Sequence, residues 1–181
     1  MGGGWAPEDF DEAAQDQLLR LAGHARAKFG DAVEIMIEPG KALSQPSQAV
    51  LARVVHVRRG VGGFREAILD AGIGDVPQLA AHPHRLAVAR GGEISALEPG
   101  RDRLLGPLCM EGDMLAEGVH LPNDLAVGEL VAICDAGAYD ASMAFALGQG
   151  APLQRSSRKS AEAGRTLESV ASAAGLRALD S

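Results

Sequence analysis

The sequence predicts an α/β segment followed by a mainly antiparallel β domain. Three observations carry that prediction. One long stretch near the start has helical periodicity, and an apolar run follows it directly. From about residue 48, short β-type segments alternate with Gly and Pro, and no helical segment of good length intervenes. The 181 residues suffice for one ordinary domain or parts of two, with a sizeable core. With 46% hydrophobic residues the chain is too apolar for disorder. No apolar run approaches the roughly 18 residues of a membrane-spanning helix.

The helix is predicted over residues 7–29. Pro7 suits a first turn, where its missing N–H costs nothing. Glu8, Asp9, Asp11 and Glu12 complement the positive end of the helix dipole. Phe10, Ala14, Leu18, Leu21, Ala22 and Ala25 recur on one face. Arg26 and Lys28 lie near the end, and Gly30 fits the residue just past it. Residues 32–37 (Ala-Val-Glu-Ile-Met-Ile) then read as a strand covered on both faces. A parallel strand needs a neighbour, so the chain is expected to begin in the middle of a fold.

Five further strands are predicted: Val50–Val57, Phe64–Asp70, Arg85–Ala89, Leu104–Cys109 and Glu129–Cys134. Glu98-Pro99-Gly100-Arg101 echoes Glu38-Pro39-Gly40-Lys41, but only the first follows a buried strand, and the second reads as a loop. The tail from Ala151 is rich in Ser, Arg and Ala, and residues 160–178 fit a weak helix or disorder equally. The expected division is 1–47, 48–150 and a tail over 151–181.

A net charge of −7, with only 17 Lys and Arg, argues against a nucleic-acid partner. Cys109 and Cys134 supply neither a disulfide framework nor a zinc set. A reducing, cytoplasmic location is the expectation. Met1 is followed by Gly2-Gly3-Gly4 rather than by a basic and then an apolar stretch, so no leader is expected. His82 and His84 flank Pro83, but no acids stand at a suitable spacing, and no metal is expected.

Four short constellations carry chemistry. Gly2-Gly3-Gly4 opens onto the helix, where close backbone approach and a helix N-terminus suit a phosphate; a flexible chain start is the plainer alternative. Glu38-Pro39-Gly40-Lys41 follows the predicted buried strand, at the end where α/β folds bind ligands, although an ordinary turn would look the same. The carboxylate can hold a protonated ring nitrogen, and the lysine can reach a phosphate. Residues 106–113, Gly-Pro-Leu-Cys-Met-Glu-Gly-Asp, pack Cys109, Glu111 and Asp113 into a short turn, where a thiol can serve as acid or nucleophile or simply be buried. Asp135-Ala136-Gly137-Ala138-Tyr139 contains the only tyrosine of the chain, a phosphate ligand or a packing residue.

In this order the motifs resemble the C-terminal half of the ornithine/diaminopimelate/arginine decarboxylase family, fold type III pyridoxal-phosphate enzymes. The resemblance runs from Gly2 to about Gly150. It implies the last βα units of a (β/α)8 barrel of alanine racemase type, followed by the family's β domain. It also implies roles. Gly2, Gly3 and Gly4 would give backbone N–H groups to the phosphate of pyridoxal 5'-phosphate, with Gly40, Lys41 and Tyr139 also on the cofactor. Glu38 would keep the pyridine nitrogen protonated, making the ring an electron sink. Cys109 would act across a dimer interface as proton donor, with Asp113 as the last acid of its motif and Glu111 toward the substrate.

The departures are equally specific. The family's cofactor-bonding lysine lies upstream of everything here, and Lys28, Lys41 and Lys159 are the only lysines. Lys41 stands where the family usually has Arg, keeping the charge and losing the fork. Met110 replaces an acid that helps hold the substrate's distal ammonium. The Asp70-Ala71-Gly72 stretch lacks the Arg-Pro-x-Leu-Tyr that usually follows it in diaminopimelate decarboxylases, which speaks against diaminopimelate. The resemblance thus implies the C-terminal portion of a carboxy-lyase for a basic or diamino acid, inactive alone, in a homodimer or with a complementing N-terminal half. The rival readings are a non-catalytic partner that complements or inhibits a full-length subunit, and a decayed gene product.

Overall fold

A computed structural model of the chain describes residues 4–30, 32, 34–36 and 38–147. Gly2, Gly3 and the 151–181 tail lie outside the described residues. A 3-10 turn, Pro7–Phe10, leads into helix α1, Glu12–Phe29. Asp11 caps α1 by accepting a hydrogen bond from the Ala14 N–H at 2.8 Å. Gly30, at φ 88°, ends the helix and donates its N–H to the Arg26 carbonyl. Ala14, Leu18, Ala22 and Ala25 of the predicted row are half-buried, Leu21 of that row is exposed, and none of the described side chains of α1 is fully buried.

Of the predicted strand over 32–37, Val33 and Ile37 lie outside the described residues. Its described residues Ala32, Glu34, Ile35 and Met36 belong to none of the sheet's strands. Helix α2, Gly40–Ser44, and a 3-10 turn, Gln45–Ser47, follow.

Seven strands then form one mixed sheet: β1 Val50–Arg59, β2 Arg65–Leu69, β3 Leu86–Arg90, β4 Glu93–Ala96, β5 Pro99–Leu105, β6 Met114–Val119 and β7 Leu130–Ile133. Their order is β4-β3-β7-β1-β2-β5-β6, and every pairing is antiparallel except that of β2 with β5. The ten-residue β1 serves both halves: Val50–Arg53 pair with β7, and Val54–Arg59 pair with β2. A register shift between Val54 and His56 marks the change. The buried sides of both halves meet in one core that includes Val54, Leu69, Val76, Leu104, Leu121 and Ile133.

The core and α1 should respond differently to truncation. Ile133→Val is expected to cost about 1 kcal/mol, because Ile133 is fully buried. Leu19→Ala is expected to change stability by less than about 0.5 kcal/mol, because Leu19 is 70% exposed. Denaturant midpoints of the two variants check both values.

Two strand boundaries differ from expectation. The expected Leu104–Cys109 strand starts earlier and ends at Leu105, so Cys109 sits in a turn. The expected loop at 98–101 contributes Pro99, Gly100 and Arg101 to β5. There Gly100 lets the backbone of Val119 and His120 pass close: a Cβ would lie 2.7 Å from the Val119 carbonyl oxygen. No helix among the described residues is long and apolar enough to cross a membrane.

Candidate functional site

Two loop junctions hold the candidate residues. The first joins the segment after Glu38-Pro39-Gly40-Lys41 to the Asp135–Tyr139 loop. Gly137 donates its N–H to the Gln45 carbonyl, and Ala136 donates to the Gln48 carbonyl, each at 3.0 Å. A Cβ on Gly137 would lie 1.8 Å from the Ser44 carbonyl oxygen, so only glycine permits this contact. Helix α2 also lies against the Pro7–Phe10 turn that follows Gly4. The segments carrying Gly4, Lys41 and Tyr139 are thereby gathered at one end of the sheet.

The side chains gathered there are uncommitted. Glu38 is exposed and Lys41 half-buried, and neither side chain makes a hydrogen bond or ion pair among the described residues. Tyr139 is 56% exposed, with its phenol free of protein partners among the described residues. The backbone at Tyr139 is left-handed, φ 66°, as is that at Asp135, φ 62°. Gly40 is exposed at the first position of α2. Gly4, at φ 97°, is also exposed. An open groove runs beside Gly4 and Trp5, but it carries Asp9 and Asp11, whose carboxylates cap backbone N–H groups and would repel a phosphate.

Asp135 anchors the loop from its start. Its carboxylate accepts from Nε and Nη2 of Arg85, each at 2.8 Å. Burial alone would raise the Asp135 pKa, and the Arg85 guanidinium more than offsets this, holding the carboxyl below the ordinary aspartate range. Asp102 behaves alike: burial works against its charge, and N–H groups of Arg65 and Leu121 outweigh it. A depressed folded-state pKa gives stability that is present above the unfolded value, about 3.9, and lost as pH falls through the folded value. Unfolding free energy should therefore fall below about pH 4. In Asp135→Asn the fall should be shallower, as urea titrations between pH 2 and 6 would read.

The second junction organises the cysteine turn. Asp113 is buried, and it accepts from the Ile73 N–H at 2.8 Å and the Leu108 N–H at 2.6 Å. Its carboxylate fills the space that glycines leave at 72 and 106: a Cβ there would meet Asp113 oxygens at 2.4 Å and 2.2 Å. Gly106 also donates to the Asp113 carbonyl at 2.8 Å. The Asp70-Ala71-Gly72 loop and the cysteine turn are thus tied by one acid, which leaves Cys109, Met110 and Glu111 exposed at the tip. No hydrogen bond or ion pair joins Cys109 or Glu111 to Glu38, Lys41 or Tyr139 among the described residues.

Sequence reasoning missed the packing roles of Gly72, Gly106 and Gly137. It also missed the partners of His84, which is buried against Asp140 rather than poised for metal. No cluster of three or more metal-ligating side chains exists among the described residues. Cys134 is a core residue, and burial raises its thiol pKa.

The sheet and its two loop junctions define a class, the C-terminal sheet domain of pyridoxal-dependent decarboxylases, and the family pattern described in those words matches residues 46–137. The chain belongs to the ornithine/diaminopimelate/arginine decarboxylase family. It is 34% identical to the diaminopimelate decarboxylase of Streptomyces coelicolor over 142 residues, covering 73% of this chain and 30% of that protein. With the Deinococcus radiodurans diaminopimelate decarboxylase it shares 34% identity over 145 residues, 79% of this chain and 35% of the relative. Among solved structures, it is similar to diaminopimelate decarboxylase from M. jannaschi (TM-score 0.64, 26% identity, 82% of this chain and 35% of that one). It is also similar to lysine/ornithine decarboxylase complexed with cadaverine from Vibrio vulnificus (TM-score 0.64, 27% identity, 80% and 39%). The chain spans about a third of the length of these relatives.

Proposed function

We propose that this chain is the C-terminal portion of a pyridoxal-phosphate-dependent carboxy-lyase for a basic or diamino acid, and that it is inactive by itself. The observation that supports this reading is the Gly137 junction, which ties the loop carrying Tyr139 to the 44–48 segment that follows Glu38 and Lys41. When bound, pyridoxal phosphate supplies an electron sink for the carbanion that CO₂ loss leaves. Lys41, the Tyr139 hydroxyl and the backbone of Gly2, Gly3, Gly4 and Gly40 bind the phosphate. Glu38 holds a proton on the ring nitrogen. Cys109, at the exposed tip of its turn, delivers a proton to the substrate carbon in a partner subunit's site, and Glu111 faces the substrate's distal amine. Asp113 contributes by fixing the turn, since its carboxylate is occupied by backbone N–H groups.

The proposed inactivity rests on the three lysines present, Lys28, Lys41 and Lys159, none of which stands in the context of the family's cofactor-bonding lysine. The barrel units implied for residues 1–47, the pairing as a dimer and the cytoplasmic location belong to the same proposal. Its test is complementation. A full-length family member whose motif cysteine is replaced by Ala is mixed with this chain. Regained decarboxylation, absent with the Cys109→Ala form of this chain, supports the reading. Unchanged, dead activity with both forms overturns the trans role of Cys109.

A further inference from the structure

We propose that the adjacent residues His84 and Arg85 form a two-point clamp whose function is to position Tyr139. The inference rests on the reading of Tyr139 as a phosphate ligand only for what the positioned hydroxyl does. The clamp itself stands on geometry. The loop from Asp135 to Asp140 has an acid at each end. Arg85 grips the first acid through Nε and Nη2, and its backbone N–H also reaches Asp135 at 3.3 Å. His84 grips the second: its Nε2 lies 2.9 Å from Asp140 Oδ2, with both side chains 1% exposed. The other Asp140 oxygen accepts from the Gln78 N–H at 2.9 Å. One dipeptide, at the entry to β3, thus holds both ends of the loop.

Between those ends stands Tyr139. Its ring is more than half exposed, so packing does not orient it. Its direction is set by its backbone, which is left-handed, a conformation that a tyrosine keeps only where neighbours over-determine it. The residue that follows it is Asp140, buried and held by His84 and Gln78. Among the described residues, Asp135 is the other non-glycine with positive φ, and it is the one Arg85 holds. Strain and restraint coincide at both points. His84 and Arg85 are therefore positioning residues, acting on Tyr139 through the two acids.

The hydrogen-bond inventory gives a sharp test. His84 Nδ1 lies 2.9 Å from the His82 carbonyl oxygen, which only accepts, so Nδ1 carries a proton. A carboxamide at 140 can then donate to Nε2 of the neutral ring while its oxygen accepts from Gln78. Asp140→Asn preserves the clamp, whereas Asp140→Ala and His84→Ala break it.

The probe is built in, because Tyr139 is the only tyrosine. The full chain is prepared with ring-labelled tyrosine, and the single ring signal is followed by NMR beside the core methyl signals. The expected result is a wild-type ring signal in Asp140→Asn, and a ring signal moved to the position of an unstructured tyrosine in Asp140→Ala and His84→Ala with core methyls unchanged. Arg85→Ala, whose side chain is 55% exposed, tests the other jaw without opening the core and should move the same signal. Should the two buried alanine variants unfold, Asp140→Asn and Arg85→Ala decide alone. A displaced ring in Asp140→Asn, or an unmoved ring in folded Arg85→Ala, overturns the clamp. Adding pyridoxal phosphate and, separately, pyridoxal to the wild type then addresses the ligand. A ring shift with the first alone supports Tyr139 as a phosphate contact. No shift with either sinks that contact, while the clamp stands or falls by the variants.

Discussion

Gly137→Ala is expected to destabilise the chain by about 2–4 kcal/mol, above the usual range for one added methyl in a packed site. The added Cβ would stand 1.8 Å from the Ser44 carbonyl oxygen and 2.6 Å from Ser47 Oγ. Neither can step aside cheaply, because Ser47 Oγ donates to that same carbonyl at 2.6 Å. Relief requires the whole 40–48 segment to move, with loss of the Gly137–Gln45 and Ala136–Gln48 hydrogen bonds, each worth about 1 kcal/mol. Guanidinium unfolding measures the total, and amide exchange at 136 and 137 locates it. Gly23→Ala is the contrasting control. It stands inside α1 with nothing within 4 Å of an added Cβ, so it should stabilise by about 0.5–1 kcal/mol.

Asp113→Ala is expected to cost about 2–5 kcal/mol, because two backbone N–H groups, of Ile73 and Leu108, lose their buried acceptor. The glycines at 72 and 106 leave a space that no other side chain fills. The cysteine turn should loosen together with the 72–75 loop, although the two are some 35 residues apart in sequence. Asp113→Asn should recover part of the loss, since one carboxamide oxygen can serve one N–H well but not both. Thermal unfolding reads the stability. Exchange of the Leu108 amide, together with labelling of exposed Cys109 against buried Cys134, reads the turn. Equal stability of Asp113→Ala and wild type would remove Asp113 from its organising place.

The parts of this fold legible in the sequence are those where one residue pattern meets one physical requirement. The body of α1 and its Gly30 end, and the apolar runs of β1, β2, β3 and β7, belong there, whereas the start of α1 falls at Glu12 rather than at the expected Pro7. Strand β4 was not legible, because Glu93–Ala96 lies at the sheet edge with only Ile94 half-buried. Nor was β6, where Leu115 alone is fully buried and Gly118 interrupts the pattern. The start of β5 hid behind a Pro-Gly pair that reads locally as a turn, and that the strand tolerates because Gly100 admits the backbone of β6 and His120.

The site shows the same divide. Short motifs could name Glu38, Lys41, Cys109, Asp113 and Tyr139, because each carries a reactive group. They could not foresee that Asp113 faces inward onto N–H groups, or that Gly137 is a point of close approach. Both facts depend on which distant segment passes by. His84 and Asp140 are 56 residues apart, and nothing in either neighbourhood announces the other.

The place of β7 bears on how the chain acquires its shape. It is the last of the seven strands to leave the ribosome, yet it takes an interior place in the sheet, between β3 and β1. Until Leu130–Ile133 emerge, the sheet exists at most as two separate fragments, β3–β4 and β1–β2–β5–β6, each with an unsatisfied edge. The pairing of Val50 with Ile133 must then close a loop of about eighty residues, an entropic cost met late in folding. Assembly is therefore governed from the C-terminal side. A nascent chain stalled before β7 is an open template for unwanted strand addition, and the arrival of four residues turns two vulnerable fragments into one cooperative unit.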